Sequence, residues 1–167
     1  MLQSFLVWLE STAFSTWLRE SESVLVFPSI LTVHTVSMGF LVGLSAAIDL
    51  RMLGFAPRVP LSEMKKFLPL AWISFWVSVV TGINLVISYP TKALTNPVFY
   101  LKLTLIAVSL FVVRLITRRA LDEPRFDSEP LPRNLKALAV ISIVCWLLLI
   151  WAGRALPYTY GRLFAED

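Results

Sequence analysis

From Ser23 through Ile48 the chain contains no Asp, Glu, Lys or Arg, and the same holds from Phe67 through Thr91. Each stretch exceeds the roughly 20 residues that a helix needs to cross about 30 Å of hydrocarbon. A soluble domain of 167 residues has no core in which to hide two such runs. Neither run alternates as the strands of a membrane barrel do, so both predict transmembrane helices. Composition agrees, at 57% apolar and 16% charged, against about 45–50% and about 25% for soluble domains.

Four spans are predicted, at about 23–50, 66–88, 97–117 and 135–154. Pro28 falls in the early turns of the first, Tyr89-Pro90 closes the second, and Asn96-Pro97 forms a cap with proline at the first helical position of the third. The charge-free core of the third, Leu103 to Val113, spans only if Lys102 and Arg114 reach toward opposite interfaces. Residues 1–22 read as one amphipathic helix lying in the interface, with Leu2, Phe5, Leu6, Leu9, Ala13 and Trp17 on one face and Gln3, Glu10, Ser11, Ser15 and Arg19 off it. The absence of a basic leading region and the presence of Glu10 argue against a cleaved signal. Residues 157–167, with Pro157, Tyr158 and Tyr160, read as a periplasmic tail. The expected fold is an all-α integral membrane protein: a four-transmembrane-helix bundle over 23–156 with an N-terminal interfacial helix.

Arg51, Arg58, Lys65, Lys66, Arg114, Arg118, Arg119, Arg125, Arg133 and Lys136 flank the loops after spans one and three, against Arg19, Lys92, Lys102, Arg154 and Arg162 on the other side. Ten against five places the richer loops in the cytoplasm and both termini outside. The same loops account for a pI near 9.5, so the partner is a lipid bilayer and not nucleic acid. The loop from Asp122 to Pro132 reads as a surface connector.

One Cys excludes an internal disulfide. The only His, His34, lies near the middle of span one with Met38 one turn on, a spacing that can converge on one atom. Imidazole and thioether suit haem b or copper, with Cys145 as a further sulfur. A single His precludes bis-His haem ligation within one protomer, and the competing reading is a histidine hydrogen-bonded to a Ser or Thr of another helix. Gly39 and Gly43, continued by Ala47, form a small-residue stripe that lets another helix approach closely. Ser74, Ser78, Thr81 and Asn84 form a polar stripe on span two, read as interhelical hydrogen bonding or as the lining of a cavity near His34. Asp49 and Arg114 are expected to form an ion pair near the inner boundary. No Ser-His-Asp set, phosphate loop or paired carboxylates can be assembled, which argues against a hydrolase or a nucleotide-driven pump.

His34, Gly39, Gly43 and the ending Asp49-Leu50-Arg51-Met52-Leu53-Gly54, together with Trp8 to Thr12 and Trp17 to Ser21, resemble an uncharacterised bacterial four-span membrane family. More loosely, a His followed by glycines is similar to CopD-type copper-resistance domains and haem-binding four-helix membrane domains, which bring further histidines from other spans. Two functions are therefore expected to compete. One is a non-catalytic subunit or scaffold that packs as a homo-oligomer or with other membrane subunits. The other is a b-type haem or copper protein in electron transfer or metal handling. A transporter or quinone site on the polar stripe is a third.

Overall fold

The computed structural model describes residues 2–21, 23 and 25–163, with no side-chain placement at Leu2 or at 160–163. Among the described residues the chain is helical with no strand. Its α-helices are α1 (Leu2–Glu10), α2 (Ala13–Glu20), α3 (Val26–Leu53), α4 (Leu68–Ser88), α5 (Pro90–Leu94), α6 (Pro97–Ile116) and α7 (Arg133–Leu163). Four segments are long and apolar enough to cross a membrane: Val26–Leu53, Ser62–Ser88, Pro97–Leu121 and Arg133–Thr159. The chain is thus a four-helix membrane bundle.

The inward stripes follow helical spacing. On α7 Leu135, Ala139, Ser142, Trp146, Leu149 and Ala152 are buried, and on α3 Ser37, Leu41, Ser45, Ile48, Asp49 and Met52. Much of the outer surface is apolar, as lipid contact requires: Phe40, Ile73, Trp76, Phe111, Leu147 and Trp151 are all more than half exposed. α4 packs on α3, α6 on α7, and the two hairpins meet through α3 and α7. α4 and α6 do not pack substantially on each other, so a cleft opens between them.

At the end of the bundle that carries the Lys- and Arg-rich loops, the connectors are folded. The Asp49-to-Gly54 ending of α3 has a physical explanation: Gly54 takes φ 108°, the left-handed conformation that a helix C-cap needs and that glycine adopts without strain. The N–H of Phe55 then returns to Leu50 O. Arg51 donates to the carbonyls of Val59 and Pro57, holding the loop down. Asp127 accepts from both the N–H and the hydroxyl of Ser62 at 2.8 and 2.7 Å, and Lys65 pairs with Asp122. Phe126 enters a small core with Met52, Leu61, Met64, Ile116 and Leu135. The proline-rich connector is therefore a packed clasp, with a buried aromatic that its polar composition masks. Those Ser62 donors stabilise the ionised Asp127 carboxyl and hold it below the usual carboxylate range.

Two expectations at the opposite end are corrected. The N-terminal segment is two helices instead of one, broken at Ser11-Thr12, where Thr12 Oγ1 accepts from Ser15 N and caps α2. Its polar face turns toward protein: Arg19 donates to Ser88 O, Glu10 O and Ser15 Oγ, each at 2.9 Å, and Ser15 donates to Ile87 O at 2.8 Å. Leu6 and Leu18 are buried, while Phe5, Trp8 and Trp17 face outward. The second correction concerns residues 157–163, which continue α7 through Pro157 instead of starting a tail. The buried Asn96 amide helps anchor this last stretch by donating to Leu156 O and Thr159 Oγ1. Residues 164–167 of the expected tail lie outside the described residues.

Candidate functional site

The polar groups of α3 and α4 meet in the half of the bundle nearer α1 and α2. His34 Nδ1 lies 2.9 Å from Thr81 Oγ1, and the Thr81 hydroxyl donates its one proton to Val77 O at 2.7 Å. With that proton committed to Val77 O, Thr81 Oγ1 accepts from an Nδ1-protonated imidazole, the tautomer in which Nε2 carries the lone pair. Gly82 permits this approach: a Cβ there would sit 3.2 Å from His34 Cε1. One turn further, Ser37 and Ser78 hydroxyls are 2.8 Å apart. Lys102 on α6 stands within electrostatic range of His34.

Of the expected polar stripe, Ser78 and Thr81 reach across to α3. Ser74 is buried, and Asn84 turns back to donate to Val80 O of its own helix at 2.8 Å. Met38 packs with Leu41, Ala71, Trp146 and Leu149, and Cys145 is buried on α7. Among the described residues no three His, Cys, Asp or Glu side chains gather as a metal site.

Gly39, Gly43 and Ala47 face outward. A Cβ built on either glycine meets nothing within 4 Å, and Val36, Phe40 and Leu44 rim a shallow open groove over them. Among the described residues, nothing covers this stripe.

The expected Asp49–Arg114 pair is not formed. Val112 and Ile116 occupy the inward positions of α6, and Arg114, about 200° around the helix from Val112 at 100° per residue, is exposed. Asp49 is 1% exposed and faces α7, where the Ser142 hydroxyl lies beside its carboxyl. Asp49 Oδ2, Ser142 Oγ, Trp146 Nε1 and Ser109 Oγ are all buried and lack a protein hydrogen-bond partner. Sequence reasoning missed this grouping. The available signal was Ser142 and Trp146 at i, i+4, on the buried stripe of α7.

No family model, curated protein or solved structure matches the chain.

Proposed function

We propose that this chain is a non-catalytic subunit or scaffold of a bacterial inner-membrane assembly, with both termini in the periplasm. It docks a transmembrane helix, from a second copy or another subunit, on the groove over Gly39, Gly43 and Ala47. The observation that carries the reading is the exposure of that stripe. Small residues let helix backbones approach closely and gain packing that lipid chains do not supply, yet the intramolecular contacts use other faces of α3. The excess of Lys and Arg on the loop side supports the orientation. Cysteine placed at Gly39 or Gly43 is expected to cross-link in native membranes, to itself in a homo-oligomer or to a co-purifying helix. A purified monomer with a stoichiometric bound cofactor would refute the assignment.

A second reading, b-type haem or copper bound through His34, is favoured by one observation, the Thr81 contact to Nδ1, which leaves Nε2 as the ring atom to ligate. Met38 and Cys145 are its sulfur candidates, and with no three-ligand group among the described residues a metal would draw further ligands from another chain. An absorption spectrum and metal analysis beside His34→Ala test it. A Soret band or copper lost in the variant supports this reading, and a colourless, metal-free wild type removes it.

A further inference from the structure

We propose that the cleft between α4 and α6 is a binding site for a single hydroxyl group, held between Asp49 and Trp146. Asp49 and Trp146 are among the residues that line it, with Trp72 and Phe75 of α4 on one side and Val113 and Thr117 of α6 on the other. The cleft has about 20 Å³ of space for a water-sized group, enough to hold one such group. Next to Thr117 the α-helix gives way to a π-helical turn over Thr117–Leu121, a local irregularity frequent where a helix lines a site.

The ligand chemistry follows from what the two side chains lack. Asp49 Oδ2 is an acceptor without a donor, and Trp146 Nε1–H is a donor without an acceptor. An ammonium can serve the carboxyl group but cannot accept from the indole. A ketone can accept from the indole but cannot donate to the carboxyl group. An O–H group does both. Leaving two buried polar groups unserved is costly, more so beside hydrocarbon. Two sources carry this chemistry: a water molecule, or the head of a membrane-dissolved alcohol whose apolar body lies between α4 and α6, where the cleft opens toward lipid.

The test uses the full chain in nanodiscs with a photoreactive long-chain alcohol and its methyl ether, reading labelled peptides by mass spectrometry, together with a high-resolution structure of the same sample. Saturable labelling of the Trp72–Phe75 and Val113–Thr117 segments, roughly tenfold weaker for the ether and for Trp146→Phe, supports an alcohol ligand. That ratio is the loss of one hydrogen bond to a buried partner. Absence of saturable labelling with an ordered water bridging Asp49 Oδ2 and Trp146 Nε1 supports water as the source. The proposal is overturned if alcohol and ether label equally and no bridging oxygen is present, or if the two side chains bond to each other directly. The ether comparison on wild-type protein keeps the test decisive should Trp146→Phe fail to fold.

Discussion

Replacing Thr81 with Val removes the hydroxyl that receives the His34 Nδ1 proton and keeps the shape of the side chain. The lost hydrogen bond is 2.9 Å long and joins two helices, a class of interaction worth on average about 0.6 kcal/mol and up to about 1.7 kcal/mol in membrane proteins. A half-buried imidazole can turn partly toward another partner, so the full cost of an unsatisfied donor does not apply, and the expected destabilisation is about 1 kcal/mol. His34→Phe removes the other partner. If the pair is coupled as its geometry indicates, the double variant is less destabilised than the sum of the singles by about the same 1 kcal/mol, whereas independent sites add to within about 0.3–0.5 kcal/mol. Reversible unfolding in mixed micelles measures the cycle. Because the chain has one His, a 15N-histidine spectrum reports His34 alone, and it should show the proton on Nδ1 in the wild type and a redistributed tautomer in Thr81→Val. Strict additivity, or an Nε2-protonated ring in the wild type, would refute the assignment.

Gly39→Ile and Gly43→Ile should leave the monomer fold intact, since their added atoms meet open space, and should abolish cross-linking or co-purification through α3. Arg19→Ala should release α1 and α2 from the end of α4, seen as faster hydrogen exchange over residues 2–21 with the spans unchanged, because three 2.9 Å hydrogen bonds are lost together. Asp127 has its carboxyl held below the ordinary value, so its contribution to the loop clasp is fully present above that value and is lost as pH falls through the lowered one. Asp127→Asn should remove this acid dependence in a hydrogen-exchange series on the 56–67 loop. Arg114→Gln should not rescue an expression defect of Asp49→Leu, since the two side chains are not paired; rescue would contradict the observed geometry.

The spans were legible because they depend on a collective property. A charge-free run of this length has one low-cost environment, whatever its neighbours, and all four candidate helices lie where hydropathy and the Asn96-Pro97 cap put them. The N-terminal segment was less legible: the moment that separates Phe5 and Trp17 from Arg19 and Ser15 is the same whether the polar face meets water or protein. Only the carbonyls of Ile87 and Ser88 at the end of α4 decide between the two, and sequence does not reveal where those carbonyls point. At the site, the His34–Thr81 contact was within reach because both belong to marked stripes. The Asp49 environment was not, since charge complementarity suggested Arg114 and the rotation of α6 turned that guanidinium outward.

That rotation links the packing of the bundle to its chemistry. α6 spends its inward positions on Ser109, Val112 and Ile116 against α7, so it offers no cation to Asp49 and no surface to α4. An uncompensated carboxyl group and a lateral opening therefore arise from one cause. Packing α4 on α6 would close the cleft but leave Asp49 without a partner, whereas turning Arg114 inward would provide one only by turning Val112 and Ile116 out of the core. The observed arrangement keeps the apolar contacts and leaves the polar requirement of Asp49 and Trp146 to a group that is not a side chain of this bundle. Another face of α3 shows the same economy in steric form, where Gly39 and Gly43 leave space that no described residue fills. α3 thus carries both unfinished surfaces, one polar and one steric, with Asp49 about 120° around the helix from Gly43 at 100° per residue. Occupation of either can alter how α3 sits against α4 and α7, so a helix docked on the glycines and a hydroxyl bound at Asp49 are predicted to influence each other's affinity reciprocally.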